Sequence, residues 1–403
     1  MPEDNHVKKW ILIGAARPNF MKIAPLIRAI HAHNELYGVN ICPFLVHTGQ
    51  HYDFNMSDAF FKDLHLPEPD IHLGVGSGTH GEQTGNVLIE FEKVLMKENP
   101  DLVIVVGDVN STLACALAAV KLHIPVAHVE SGLRSFDRKM PEEINRVVTD
   151  AISDYLFTPS PDGDENLMKE GIPKEKIFLV GDIMVDSLLS NIEKAKKSDI
   201  LRRLGLQEKA TIDHCNLTTD YGLLTLHRPS NVDNKESFTQ IIQGLLNVSS
   251  RIPILFPMHP RTKKQIRTFG LESAFHFYSS TSIKKSDYYS ENGLKKKIHC
   301  FEPLGYLEFL NLLAHAKIVL TDSGGIQEET TVLNIPCVTL RDTTERPVTL
   351  TEGTNVLVHN DPEKMVFEVA RVLDGKRKES KCPSLWDGHT AERIVSVLAQ
   401  KNP

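Results

Sequence analysis

The chain has 403 residues, room for two or three domains at ~150 residues each. Lys and Arg number 45 against 52 Asp and Glu, a formal charge of −7, which argues against a dedicated nucleic-acid binder. With 41% hydrophobic and 24% charged residues the composition is that of a globular protein, and no apolar run approaches the ~18 residues of a membrane span.

The first residues lead into an apolar strand without the long apolar core of a signal peptide. The six cysteines are scattered and form no CxxC, so reduced thiols, a cytoplasmic location and no zinc site are expected. Trp10–Ile13, Ile41–Val46, Leu102–Val106, Pro125–Val129 and Tyr155–Thr158 are almost continuously apolar, as parallel strands covered on both faces are. Between them Pro18–His33, Glu82–Lys97 and Ser111–Leu122 read as helices. The second carries Val87, Leu88, Phe91, Val94 and Leu95 at spacings of three and four. After Asp182–Lys197 and the polar segment Gln207–Tyr221 the rhythm restarts. Strand Leu223–Leu226, helix Lys235–Val248, strand Ile252–Phe256, strand Ile318–Leu320, helix Ile326–Leu333, strand Cys337–Leu340 and helix Pro362–Leu373 follow. Ser279–Lys297 reads as a surface loop. The alternation predicts an α/β protein of two doubly wound Rossmann-like domains, residues 1–190 and 191–385. A last helix in residues 386–403 is expected to pack back on the first domain.

Ligands of such sheets bind beyond the carboxyl ends of the strands, where this chain carries charged or Gly-rich groups. Asp322-Ser323-Gly324-Gly325 follows a strand and opens a helix; adjacent glycines let a phosphate reach free N–H groups there. Such a turn also serves simply to pack a helix on a sheet. Glu329 lies further along the helix, where it could accept from ribose hydroxyls. Arg17 and Lys22, just after the first strand, suit a pyrophosphate, or are solvated charges near a helix start. Asp108 and Glu130 end consecutive strands, and Glu142 follows Pro141 beside Glu143; clustered carboxylates can share out acid and base roles. Asp108 equally suits a helix N-cap, and Glu142-Glu143 a helix first turn. His227 and His259 follow strands of the second domain and are candidate acids, bases or phosphate donors. GxGxxG after the first strand, GxxxxGK[ST] and HExxH are all missing, so neither NAD, a P-loop nor a zincin site is supported.

Taken together these strings resemble the non-hydrolysing UDP-N-acetylglucosamine 2-epimerase family. The matching strings are Ala16-Arg17-Pro18 with Lys22, Gly49-Gln50-His51, Gly107-Asp108, His128–Arg134, Pro141–Arg146, Leu226-His227-Arg228, Thr321–Glu329 and Arg341–Pro347. The resemblance implies a glycosyltransferase-B-like fold with an interdomain cleft. It also implies interconversion of UDP-GlcNAc and UDP-ManNAc by elimination and re-addition of UDP through 2-acetamidoglucal, with no cofactor and no metal. By matching position, Asp108, Glu130 and Glu142 would be the catalytic carboxylates with His227 beside the phosphates. Arg17, Lys22, Ser323, Gly324, Gly325, Glu329 and Arg346 would hold UDP, joined by His259. A homodimer is implied, with no membrane or nucleic-acid partner. Departures such as Tyr52-Asp53 after Gln50-His51, and Pro229 after His227-Arg228, leave related substrates open: UDP-GalNAc or a UDP-2,3-diacetamido-hexuronate. A glycosyltransferase of the same fold is the more distant alternative. Many bacterial members of the family need a second UDP-GlcNAc beside the active site. Asp53 and Pro229 would weaken such a site here, by charge repulsion and by loss of a guanidinium and a backbone donor.

Overall fold

A computed structural model describes residues 7–49, 64, 66–207, 219–279, 282–290, 293–294 and 296–401; of Arg17 and Ser290 it describes only the backbone. The chain divides into two compact units, Met1–Ser190 with Ser384–Pro403, and Asn191–Pro383.

The first unit is built on seven strands, β1 (Lys8–Gly14), β2 (Ile41–His47), β3 (Ile71–His72), β4 (Leu102–Val106), β5 (Val126–Val129), β6 (Tyr155–Thr158) and β7 (Ile177–Leu179). They lie in the order β3-β2-β1-β4-β5-β6-β7, all parallel. All five residues of β4 are buried, as continuous Leu-Val-Ile-Val-Val requires of a central strand. The helices are α1 (Arg17–Tyr37), α2 (His80–Glu98), α3 (Asn110–Lys121), α4 (Pro141–Ile152), α5 (Pro161–Lys169) and α6 (Ile183–Ala195). Helix α2 starts two residues before the expected Glu82, because Thr79 and Glu82 form a capping box: Glu82 N–H donates to Thr79 Oγ1 and Thr79 N–H to Glu82 Oε2. Its expected stripe packs inward, with Val87, Phe91, Val94 and Leu95 buried against β1 and β4 side chains. The last helix, Thr390–Lys401, packs on α1. Its first N–H groups, of Thr390 and Ala391, donate to buried Asp186 on α6, which caps it from another element.

The second unit repeats the plan. Its strands are β8 (Gly222–Thr225), β9 (Ile254–Pro257), β10 (Phe275–Phe277), β13 (Ile298–Phe301), β14 (Ile318–Thr321), β15 (Cys337–Thr339) and β16 (Asn355–Leu357), with a separate hairpin of β11 (Tyr289–Ser290) and β12 (Gly293–Leu294). The main sheet runs β10-β13-β9-β8-β14-β15-β16, again parallel. Its larger helices are α7 (Lys235–Ser249), α8 (Pro260–Phe269), α9 (Tyr306–His315), α10 (Gly324–Val332) and α11 (Pro362–Leu373). Phe238, Ile241, Ile242 and Leu245 of α7 join Leu224, Ile254, Phe256 and Met365 in one apolar core. Two doubly wound parallel sheets are thus present.

Two readings of the sequence need correction. Strands β3, β7, β10, β13 and β16 were not foreseen: β3 has two residues, histidines interrupt β10 (Phe-His-Phe) and β13 (Ile-His-Cys-Phe), and the apolar Ile-Phe-Leu of β7 went unread. Part of Ser279–Lys297, expected on the surface, is core: Tyr288 is fully buried and donates its hydroxyl to Leu204 O at 2.7 Å. The five described cysteines form no disulfide, and no described helix is long and apolar enough to cross a membrane.

Candidate active site

In each sheet the chain leaves the first strand in opposite directions, so a switch point forms beside that strand. It lies between β1 and β4 in the first unit and between β8 and β14 in the second. The sequence-predicted residues gather at these two places.

In the first unit, Asp108 follows β4 and Glu130 follows β5. Glu130 is buried and adopts a left-handed backbone, φ +70°, unusual for a residue with a long side chain. Such strain persists only where the surroundings enforce it, and it concentrates at functional sites. Its carboxylate is ion-paired with Lys22 of α1, itself buried. Lys22 thus has a carboxylate partner at the end of another strand, β5. Gly107, φ +68°, joins the two turns: a Cβ there would lie 2.9 Å from Lys22 Nζ and 3.4 Å from Glu130 Oε2. Only glycine lets the Asp108 turn approach the pair so closely.

Asp108 does not cap the next helix; Val109 occupies the N-cap, and Asp108 pairs with buried Arg146 of α4. Arg146 also holds Glu143, Nη2 to Oε2 at 2.6 Å. Glu143 further accepts from Ser135 N–H, Ser135 Oγ and Phe136 N–H, each at 2.9 Å. Burial acts to raise the Glu143 pKa, but Arg146 and Ser135 outweigh it and hold the carboxyl below its ordinary value. Of the adjacent acids, then, Glu143 is spent on structure. Glu142 is half-buried and makes no hydrogen bond or ion pair among the described residues. Asn19 adds a brace that sequence reasoning missed: its Oδ1 accepts from Ala16 N–H and its Nδ2 donates to Val106 O, both at 2.9 Å.

In the second unit, β14 delivers Asp322 and then Ser323, the N-cap of α10. Asp322 is fully buried and accepts from the N–H groups of His227 (2.9 Å) and Arg228 (2.7 Å), while its other oxygen lies 3.1 Å from His227 Nδ1. Burial pushes its pKa up, yet His227 and these amides prevail and keep the carboxyl below its ordinary value. Asp322 thus fixes His227, whose ring is 42% exposed and stands 6.0 Å, centroid to centroid, from that of His259. His259 accepts from Arg261 N–H at 3.2 Å as N-cap of α8.

Gly324 and Gly325 form the first turn of α10, and Arg346 folds over it; a Cβ on Gly324 would meet Arg346 Nη1 at 2.7 Å. Arg346 is ion-paired with buried Glu328 and lies 3.7 Å from Glu345. Glu345 also takes both terminal nitrogens of Arg341, at 2.9 and 2.7 Å, and stands 4.0 Å from Arg228. The fully buried Glu329 carboxyl is pushed up to about 8, by burial first and then by Glu328. A helix N-terminus, arginines paired with Glu328 and Glu345, and the two imidazoles of His227 and His259 thus come together at the carboxyl ends of β8 and β14. Of the other expectations, the Arg17 side chain and Gln50, His51 and Asp53 lie outside the described residues.

The family model described as UDP-N-acetylglucosamine 2-epimerase matches residues 37–399. The chain belongs to this family. The UDP-N-acetylglucosamine 2-epimerase of Methanocaldococcus jannaschii is 46% identical, the alignment covering 97% of this chain and 99% of that one. A crystal structure of that enzyme in complex with UDP-GlcNAc and UDP superimposes with a TM-score of 0.82 over 97% of this chain and 99% of that one. The UDP-2,3-diacetamido-2,3-dideoxy-D-glucuronate 2-epimerase of Pseudomonas aeruginosa is 40% identical over 97% of this chain and 99% of its own length. The fold of two parallel seven-stranded sheets flanked by helices also matches the crystal structure of the Neisseria meningitidis UDP-GlcNAc 2-epimerase bound to UDP-GlcNAc, 27% identical, with a TM-score of 0.80 over 97% of this chain and 100% of that one.

Proposed function

We propose that this epimerase interconverts UDP-GlcNAc and UDP-ManNAc. In the forward direction a carboxylate takes the C2 proton as the C1–O bond breaks and UDP departs with its electron pair, leaving 2-acetamidoglucal. UDP then adds back to C1 while C2 is protonated on the opposite face. Elimination and addition balance, so no oxidant or reductant is involved, and neither a metal nor a nicotinamide is required. The observation that carries this reading is the buried, left-handed Glu130 held by Lys22 beside the Gly107-Asp108 turn.

Asp108 and Glu130 move the protons at C2, with Glu142 as a third carboxylate at the sugar. The leaving diphosphate is held by Ser323, Gly324, Gly325, Arg346 and Arg17, with His227 beside it, and Glu329 and His259 take the nucleoside side. Lys22 holds Glu130 in its working position. The active species is a homodimer in the cytoplasm.

The identity to the P. aeruginosa enzyme supports a second reading, in which the sugar is a UDP-2,3-diacetamido-hexuronate. Purified protein is incubated separately with UDP-GlcNAc and with UDP-2,3-diacetamido-glucuronate, and the anomeric region is followed by ¹H NMR. Formation of the C2 epimer from UDP-GlcNAc supports the first reading; conversion of the uronate alone would replace it with the second.

A further inference from the structure

Behind the carboxylates lies a buried network that the mechanism above does not use. His128, on β5 two residues before Glu130, is fully buried. Its Nε2 lies 2.8 Å from the carbonyl oxygen of Gly107, and its Nδ1 lies 2.6 Å from Oδ1 of Asp150 on α4. Both partners are acceptors, so each ring nitrogen serves as a donor. Asp150 is also fully buried. Its Oδ2 accepts from Gly132 N–H at 3.1 Å and from Arg134 Nη2 at 2.7 Å. Arg134 is anchored in turn by Glu170, at 2.8 and 2.6 Å, and by the Leu133 carbonyl at 2.8 Å. Burial acts to raise the Asp150 pKa, but His128 and Arg134 outweigh it and leave the carboxyl below its ordinary value, so it acts as an anion here.

The two ends of this network land on the two strand-end turns. Gly107, φ +68°, precedes Asp108; Glu130 and Gly132 are left-handed at φ +70° and +78°. Backbone pairing runs one step past the strands, with Gly107 N–H donating to Val129 O at 3.1 Å and Ser131 N–H to Phe157 O at 3.0 Å. Asn145 and Asn166 donate to the carbonyls of Asp108 and Gly132, each at 2.9 Å. The Gly107 carbonyl and the Gly132 N–H, which these bonds leave over, are held from behind by His128 and Asp150. We propose that His128 and Asp150 are positioning residues of the epimerase reaction: together they clamp the Asp108 turn to the Glu130 turn, so that both carboxylates address one carbon. Neither touches substrate. The inference rests on the epimerase reading for what the carboxylates do, while the clamp itself is a property of the first unit.

Two amide side chains separate the clamp's halves. The nitrogen of asparagine overlies Nδ1 of histidine and that of glutamine overlies Nε2, so His128→Asn keeps the donor to Asp150 and loses the one to Gly107, while His128→Gln does the reverse. The full-length wild type, both variants and Asp150→Asn are compared by C2 exchange in D2O at saturating UDP-GlcNAc, and by amide hydrogen exchange. Misplacing a reacting group by about 1 Å costs on the order of 10²-fold. H128N is therefore expected to lose about 10²-fold in kcat with KM within about threefold, and H128Q to recover at least a tenth of the wild-type rate. Amides just after Gly107 should exchange at least tenfold faster in H128N while β4 stays protected, a readout independent of activity. D150N should lose kcat in the same way and also release Gly132. H128N at wild-type kcat with unchanged exchange after Gly107 overturns the proposal, as does an equal loss in H128N and H128Q, the signature of mere core packing. Where H128N does not fold, D150N at wild-type kcat with Gly132 still protected overturns it. A wild type without C2 exchange sinks the epimerase reading alone, since the amide exchange then still decides the clamp.

Discussion

The pair Lys22–Glu130 offers the sharpest energetic test, because both partners are almost wholly out of water. Their side chains are 9% and 4% exposed. Removing one member of a buried pair leaves the other charge uncompensated, which typically costs ~3–5 kcal/mol, whereas replacing both members costs much less. Lys22→Met and Glu130→Gln should therefore each destabilise the first unit by about 3 kcal/mol. The double variant should be more stable than the sum of the singles predicts, with a coupling of ~2–3 kcal/mol. Tryptophan fluorescence during urea unfolding isolates this unit, since the only two tryptophans of the chain, Trp10 and Trp386, are both buried in it. In parallel, E130Q should lose 10²–10⁴-fold in C2 exchange as the loss of an acid–base group, and K22M should lose at least tenfold by leaving Glu130 unplaced. Single losses below about 1 kcal/mol that simply add, together with a fully active K22M, would refute the claim that Lys22 serves Glu130.

Four further outcomes follow from the same geometry. Asp108→Asn should abolish C2 exchange and leave UDP affinity, measured calorimetrically, within a few-fold; retained exchange removes Asp108 from the reaction. Gly132→Ala should destabilise the first unit by several kcal/mol, because a Cβ would sit 2.7 Å from the Gly163 carbonyl carbon at φ +78°; a thermal melt unchanged in midpoint contradicts this. Glu329 has its folded-state pKa raised from 4.5 to about 8, so between those values the unfolded state releases a proton that the folded state keeps, and stability falls as pH rises through that window. Glu329→Gln should flatten this decline, and a wild type and E329Q with parallel stability–pH curves from pH 5 to pH 8 would show that Glu329 ionises normally. Rates should be hyperbolic in substrate, and UDP-ManNAc should turn over without added UDP-GlcNAc, since Pro229 opens a short helix at a position that offers no N–H and Asp53 adds a negative charge; inertness until a trace of UDP-GlcNAc is added would overturn it.

The doubly wound architecture was readable because buried parallel strands such as Leu-Val-Ile-Val-Val at 102–106 leave an unbroken apolar run, and because glycines and charges mark the strand ends. Strands β10 and β13 hid because histidines break their apolar runs, and Tyr288 sits in a polar stretch whose composition conceals its burial. At the site, strand-end position was enough to nominate Asp108, Glu130, His227 and the Ser323–Gly325 turn. What position does not reveal is pairing. Lys22 reads as a pyrophosphate ligand by its place just after the first strand, and its pairing with Glu130 of another strand end leaves no mark in the sequence. Glu142 and Glu143 are indistinguishable in sequence, yet one turn of helix brings Arg146 under Glu143 alone. Arg146, Asp322, His128 and Asp150 were missed as second partners of the functional groups. The usable signal was present for His128 and Asp322: each is a polar residue within or beside an otherwise apolar buried strand, where it must find hydrogen-bond partners.

At the centre stands loss of the C2 proton as UDP leaves the sugar and its replacement from the opposite face as UDP adds back. Incubating the purified protein in D2O with UDP-GlcNAc alone, without acceptor or added metal, and quenching at equilibrium tests this directly. The account predicts deuterium at C2 in both UDP-GlcNAc and UDP-ManNAc, with free UDP and 2-acetamidoglucal detectable as released intermediates. UDP-GlcNAc recovered with its C2 proton intact, or UDP-ManNAc formed without deuterium, would contradict it.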